Sequence, residues 1–521
     1  MKEMLANRRE ILIWFISAAT LVLVEIVCRG DIIFAPIGKD SGAFAYFADL
    51  WLNGAILYKE TLVDNKPPGI YFVDAAAISL FGKSVYAVHL IDIIWNFLSA
   101  IAILLMSREL FNKYVAVVVG ILFIIFSSVP TLAADGNLTV SYMLFPTIGG
   151  IYFLVLYLKG NIRRHLFWSG FLFGVSFLFK QPVAFEAACA LGATILLSEN
   201  HRRYTEICKN ILLFVAGGLI PFFFLSLYCT VSGGFKDMVY ALFILPMEMS
   251  SAGRNIFQRV DILSNVITIF KDDLKSLSLL CIISSAVAIA YLKRFNKVTI
   301  FLYLWFLGSL VGSLSGGRVS KQYFLQAVPS MVVIAGIGCY HLSEIKKKSF
   351  WKKYKTIVLS IALLVFLRHT VTAEVRDFRD NVLQHVHSPR PLTREELLAE
   401  FISANTNPGD YIYGFGGHTY LRASFMANRL FATRHAIPKM FDGGGYESRD
   451  YPHPSKTAWM MNEMIEDVIR AKPKLIFGYS DYYRTHPAYS RLVQWIDLNY
   501  KYMGANDTVP LKDYLPVMVI K

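Results

Sequence analysis

Apolar residues gather into long uninterrupted runs, at 11–27, 85–106 and 114–129 among others, and polar residues are confined largely to the intervals between them. Helical runs of ~17 to 25 apolar residues are long enough to cross the hydrocarbon core of a bilayer. Counting forward and alternating sides, the pattern predicts spans near 11–28, 85–106, 114–130, 138–158, 166–179, 183–198, 210–230, 276–292, 298–313, 322–342 and 356–369. Eleven crossings from an inside start place the C-terminus outside. The runs at 166–179 and 183–198 are short and joined by Lys180-Gln181-Pro182, so a single Pro-kinked helix is the alternative there. The basic runs at 293–297 and 344–355 favour two crossings, because one would flip every later loop.

Composition agrees with a membrane protein: 55% of the 521 residues are hydrophobic and only 17% are charged, against ~25% charged in ordinary soluble domains. The net charge of +14 raises a nucleic-acid reading, and its placement removes it. The loops predicted inside (1–10, 107–113, 159–165, 199–209, 293–297 and 344–355) hold 20 Lys and Arg against 6 acidic residues in 52 positions, which is the whole excess. The loops predicted outside hold 13 Lys and Arg in 120 positions. That asymmetry is the positive-inside pattern of a multi-pass protein in a cytoplasmic (inner) membrane, with the N-terminus in the cytoplasm. Lys2, Arg8 and Arg9 before an apolar run resemble a signal peptide, yet Val27-Cys28-Arg29 is no small-residue cleavage site, so the run reads as an uncleaved first helix. The six cysteines give neither a disulfide framework nor thiolate zinc spacing.

The expected architecture is an all-α polytopic membrane domain over 1–370 with a periplasmic or extracellular α/β domain over 371–521. The outward loops 29–84 and 232–275 exceed the ~12 to 15 residues of a plain connector. Each carries an amphipathic or apolar stretch too short to span, at Gly69–Phe81 and at 256–270, expected to lie in the interface. Beyond 370 acidic and basic residues are nearly balanced and no run is long enough to cross. Segments 410–414 and 474–478 read as buried strands, and 393–405 and 461–471 as helices with Thr393 and Asn462 as caps.

The richest chemistry lies in the first outward loop: Asp40, Gly42, Tyr46, Asp49, Gly54 and Tyr58, followed by Asp64-Asn65-Lys66-Pro67-Pro68-Gly69-Ile70-Tyr71. A carboxylate just past the first helix and a lysine set by a Pro-Pro corner offer a base beside a phosphate ligand. The plainer reading has Asp40 capping a helix from Ser41 and Lys66 solvated. Residues alone leave both open.

The segment resembles the first periplasmic loop of the C-type glycosyltransferases, the polytopic group holding protein O-mannosyltransferases and lipid A aminoarabinose transferases. Gly170, Gly174 and Lys180-Gln181-Pro182 are similar to that group's GxxxGxxxxxKQP segment. Gly317-Arg318, Gln322-Tyr323-Phe324-Leu325-Gln326 and Pro329 are similar to its GR and HYFLQxxP segments, and Gly409-Asp410, Tyr413, Gly416 and Ala432-Thr433-Arg434 resemble the tail of its bacterial members. The resemblance implies transfer of a sugar, with inversion, from a polyprenyl-phosphate carrier to a hydroxyl on an envelope glycan, lipid or protein at the outer face. Asp40 would be the general base. Lys66, Lys180 and Arg318 would bind the carrier phosphate, Tyr58 and Tyr323 would add hydrogen bonds or line the sugar pocket, and Asp135 would be a second acid. Snorkelling of Lys180, a solvated Arg318 and a simple turn at Asp135 are the structural alternatives.

The chain departs from the group at Val140, where a Glu is common, at Gln322, where a His is common, and at Asn65, where aminoarabinose transferases carry an acidic residue. No cofactor is implied, and these departures count against the one alternative, a divalent metal. His89 and Asp92, three apart on one helix face, read as a structural pair. The competing function is a transporter or flippase of lipid-linked sugars, against which stands the lack of a repeat-related pair of broken helices.

Overall fold

The computed structural model describes residues 2–61, 66–134, 136–197, 204–250, 263–291, 296–315, 320–344, 390–436, 454–503 and 517–521, with a few positions between 372 and 388. Ten of the eleven expected intervals are helical and the eleventh, 356–369, lies outside the described residues. Six helices among the described residues are long and apolar enough to cross a membrane: Glu10–Phe34, Val85–Leu110, Thr139–Gly160, Tyr204–Val231, Lys297–Ser315 and Lys321–Ser343. The apolar helices Lys113–Ser127, Gln181–Leu196 and Lys275–Ile289 are shorter. This is a multi-pass membrane protein. The expected boundary at 370 falls outside the described residues, and the chain groups instead into two compact units.

The first unit comprises Met1–Ala35, His89–Leu225 and Ile256–Ser388. Its helices have no hydrophobic driving force toward one another in lipid, so close backbone packing and polar contacts must hold them. Both occur. Helix Arg164–Phe177 presents Gly170 and Gly174 to helix Tyr204–Val231, where an added Cβ would sit 1.9 Å from the Phe214 carbonyl oxygen and 2.2 Å from that of Gly218. The two glycines are spaced by one turn because the two backbones touch. The first helix, Lys2–Arg29, is tied to its neighbours by a buried polar network. Arg29 donates from Nε and Nη2 to Asp92 Oδ2 at 3.1 and 2.8 Å and from Nη1 to the Ser127 carbonyl at 3.1 Å. One helical turn earlier, Glu25 accepts from Asn96 Nδ2 at 3.0 Å, and Asn96 Oδ1 accepts from Ser127 Oγ at 3.0 Å. Asp92 is thus Arg29's partner, a pairing that the i, i+3 spacing with His89 does not disclose.

The segment around Lys180 forms two helices, Arg164–Phe177 and Ala184–Leu196, rather than one kinked rod. Lys180 between them is extended (φ −158°, ψ 124°), and Gln181–Val183 turns as a short 3-10 segment with Pro182 in its first turn.

The second unit comprises Pro36–Val88, Ser226–Asn255 and Pro389–Lys521. Its helix Lys39–Leu52 is buried continuously from Ser41 to Ala48. At Gly42 an added Cβ would lie 2.6 Å from Arg422 Cγ, so helix His418–Ala427 packs directly on the glycine. The Phe431 amide donates to Tyr46 Oη at 2.7 Å. Helix Gly69–Phe81 follows Pro67-Pro68 as expected. Of the expected helix at 256–270, residues 256–262 lie outside the described residues, and the remainder is helical.

A five-stranded sheet runs in the order β2-β1-β3-β5-β4, with β1 Tyr411–Gly414, β2 Leu430–Phe431, β3 Leu475–Phe477, β4 Tyr500–Tyr502 and β5 Met518–Ile520. β1 pairs in parallel with β2 and β3, and β5 pairs antiparallel with β3 and β4. The two expected strands are the centre of this sheet. The C-terminal domain therefore has the expected α/β class. The expected cap at Asn462 is a correction: the helix runs Pro454–Ala471 and Asn462 is interior, because Pro454 opens it two turns earlier.

Thr393 is the cap expected for helix Arg394–Asn405, and its partner Glu396 completes a reciprocal capping box. Burial raises the Glu396 pKa, but hydrogen bonds from Arg390 and Thr393 outweigh it and hold the carboxyl at about 2, below its ordinary 4.5. A depressed carboxylate contributes stability that is complete above pH 4.5 and is lost as pH falls toward about 2. Glu396→Gln is therefore expected to lower Tm at neutral pH and to flatten its fall across that acid window. Parallel Tm profiles for the two proteins would contradict the assignment.

Candidate active site

In the second unit, helix Lys39–Leu52 begins at Lys39 with Gly38 as its cap residue, which places Asp40 in the first turn rather than at the capping position. The plainer reading of Asp40 as a cap from Ser41 is thereby replaced. Its carboxylate is half-exposed although the next eight residues are buried, and Oδ1 faces His418 Nδ1 at 3.9 Å. A negative charge in the first turn is favoured by the helix dipole. Nothing in the chain's local pattern singled out His418, whose helix starts 378 positions later.

Tyr58 is fully buried and left-handed at φ +65°, a conformation that costs a non-glycine residue energy unless its surroundings enforce it. Its amide donates to Thr61 Oγ1 at 2.9 Å, and its phenol donates to the Lys66 carbonyl at 3.1 Å. The structure therefore brings Tyr58 and Lys66 together through the Lys66 backbone.

In the first unit, the break between two apolar helices releases Lys180, whose Nζ lies 3.8 Å from the centre of the Tyr323 ring. The cation over the π-face joins two residues 143 positions apart. Tyr323 sits in the 3-10 segment Lys321–Ala327, whose carbonyl at Tyr323 accepts from Ser313 Oγ at 2.9 Å. Glu186, which sequence reading passed over, is buried on the helix after Lys180 and accepts from Trp305 Nε1 at 3.0 Å.

Arg318 and Asp135 lie outside the described residues. The residues flanking Asp135 are described: Ala134, Gly136 and Asn137 all have positive φ, at 47°, 74° and 51°. Gly136 also needs its missing side chain, since a Cβ there would meet Asp92 Oδ2 and Ile32 Cγ2 at 3.2 Å. Positive φ is unfavourable for Ala134 and, to a lesser degree, for Asn137, and costs Gly136 nothing. Among the described residues no cluster of three His, Cys, Asp or Glu could hold a metal ion.

Residues 65–228 match the family model described as dolichyl-phosphate-mannose-protein mannosyltransferase. No curated protein sequence matches the chain. Among solved structures, it is similar to ArnT from Cupriavidus metallidurans bound to undecaprenyl phosphate, at TM-score 0.58 and 14% identity over 97% of both chains. It is also similar to the Archaeoglobus fulgidus oligosaccharyltransferase in the apo form, at TM-score 0.52 and 12% identity over 97% of this chain and 76% of that one. At such identities the likeness is one of fold, and the match over 65–228 agrees with it. The chain has the polytopic membrane fold of these two transferases, and its residues 65–228 match the mannosyltransferase family model.

Proposed function

We propose that the protein transfers a single sugar from a polyprenyl-phosphate carrier to a hydroxyl of an envelope glycan, lipid or protein at the outer face of the cytoplasmic membrane, inverting the anomeric centre. The observation that carries this reading is Asp40: a half-exposed carboxylate in the first turn of an otherwise buried helix, in the loop that follows the first spanning helix. Asp40 takes the proton from the acceptor hydroxyl as its oxygen attacks the anomeric carbon. The bond from that carbon to the phosphate oxygen breaks, and polyprenyl phosphate leaves with the bonding pair. Attack opposite the leaving group inverts the centre. Lys66, Lys180 and Arg318 balance the charge growing on the phosphate, where preorganised cations are most effective. Tyr58 and Tyr323 hold Lys66 and Lys180 in place, and Asp135 meets the sugar or acceptor.

The carrier class is supported by the undecaprenyl phosphate bound to ArnT and the dolichol-phosphate bound with an inhibitory peptide to the archaeal oligosaccharyltransferase. The reading of the N-terminus as cytoplasmic and of the loop carrying Asp40 as outside is supported by the basic segments. The test is release of polyprenyl phosphate by the purified protein in detergent, given a panel of polyprenyl-phosphate sugars and envelope extract. Turnover of one donor without a sealed compartment is the expected result. Movement of a donor across sealed vesicles with no release of carrier phosphate would overturn it in favour of a flippase.

A further inference from the structure

Arg434 makes contacts that the transfer reaction itself does not call for. It lies on the loop after β2, its side chain mostly buried, and its guanidinium reaches all three chain stretches of the second unit. Nη1 donates to the Lys59 carbonyl at 2.6 Å and, more distantly, to the Tyr58 carbonyl at 3.4 Å. The same nitrogen donates to Asp237 Oδ1 at 3.1 Å, and Nη2 donates to Glu463 Oε2 at 2.6 Å. Glu463 is held in turn by His435, whose Nε2 lies 2.8 Å from the same carboxylate oxygen. His435 is buried with its ring edge-on to Trp459. Two carboxylates thus fix the planar fork, and its remaining donors grip the backbone of the turn at 58–59.

That turn is held from a second direction. Gly234 approaches it so closely that a Cβ would lie 2.8 Å from the Leu57 carbonyl oxygen. Within it, Ile56 and Glu60 exchange bonds: the Ile56 amide donates to Glu60 Oε2 at 2.9 Å and the Glu60 amide donates to the Ile56 carbonyl at 2.9 Å. The product of this clamping is the left-handed Tyr58, whose phenol donates to the Lys66 carbonyl. A continuous chain of contacts therefore runs from the outer domain through Arg434, the 58–59 carbonyls and the Tyr58 ring to the backbone of Lys66.

We propose that Arg434 is a positioning residue for the lipid-phosphate site: it fixes the 56–61 turn so that Tyr58 holds Lys66 where the carrier phosphate is bound. The inference rests on the reading of Lys66 as a phosphate ligand. Lysine cannot replace arginine here, because a single ammonium does not present a planar fork to two carboxylates and a carbonyl together.

The experiment uses the full chain in detergent and compares wild type with Arg434→Gln, Arg434→Lys, Lys66→Ala and the Arg434→Gln/Lys66→Ala double variant. Hydrogen–deuterium exchange of the 56–66 segment reports the clamp independently of activity, and binding of undecaprenyl phosphate reports the site. Loss of charge-assisted hydrogen bonds should speed exchange at 56–66 by about tenfold in both Arg434 variants, with β1 and β3 unchanged. Carrier binding should weaken by about tenfold and kcat/KM should fall by at least that factor, and the double variant should bind no worse than Lys66→Ala alone. Unchanged exchange at 56–66, or faster exchange spread equally over β1 and β3, would overturn the clamp. An additive double variant would overturn its action through Lys66. If wild type and Lys66→Ala bind the carrier phosphate equally, the phosphate reading of Lys66 fails and the proposal fails with it, while the exchange data still report whether the turn is clamped.

Discussion

Asp40→Asn is expected to abolish sugar transfer while leaving donor binding close to wild type. The amide keeps the size of the carboxylate and its place in the first turn of helix Lys39–Leu52, but it cannot accept a proton. General-base catalysis contributes about 10²–10⁴-fold, so kcat should fall by that factor with donor KM little changed. The measurement is single-donor turnover followed by release of polyprenyl phosphate, paired with binding of the intact donor. An asparagine variant retaining a tenth or more of wild-type kcat would move the base elsewhere, and a variant that no longer binds donor would make Asp40 a binding group.

Asp92→Ala is expected to be the most destabilising single substitution in the first unit. Arg29 and Asp92 are each about 1% exposed, so removing the carboxylate leaves a buried guanidinium with the Ser127 carbonyl as its other described acceptor. Breaking one side of a buried pair typically costs about 3–5 kcal/mol, much of it from stranding the remaining charge. Replacing both partners, as Arg29→Met with Asp92→Leu, should recover most of that loss, because the desolvation penalty then disappears with the charges. Thermal unfolding of the three variants in one detergent decides the matter. A double variant no more stable than Asp92→Ala would mean that the ion pair itself, and not relief of a stranded charge, holds the helices.

Much of the fold was legible because lipid leaves the backbone so few options. Each span has to satisfy its own hydrogen bonds within a long apolar helix, and that requirement writes itself into local composition. The same holds for β1 and β3, short apolar runs between polar neighbours, and for Thr393 with Glu396, a capping signature three residues long. β4 and β5 were not legible: each is three residues, and they exist by pairing with β3 and with each other. Neither was helix His418–Ala427, whose apolar face is defined by helix Lys39–Leu52 at the other end of the chain. The candidate site divides in the same way. Asp40, Lys66 and Lys180 could be quoted from motifs, and Lys180 also announced itself as a cation between apolar runs. Arg434 could be quoted from the Ala432-Thr433-Arg434 segment but without its contacts, and His418 not at all, since their partners lie 376 and 378 positions away and no local spacing records a contact of that range. Asp92 has the structural role that its place on the helix suggested, but its ion-pair partner Arg29 stands 63 residues earlier, where no local spacing points to it.

The second unit is assembled from three stretches that a ribosome makes far apart in time. Tyr46 and the Phe431 amide that donates to it are 385 residues apart. At about 5–20 residues per second, roughly 20–80 s separate their synthesis. Throughout that interval the helix bearing Asp40 has left the ribosome without the surface that later covers it. The helix is therefore covered late, when residues 418–434 have been made and have docked. A nascent chain halted before that point presents an uncovered apolar helix, a feature that chaperones and proteases recognise, rather than a smaller folded unit.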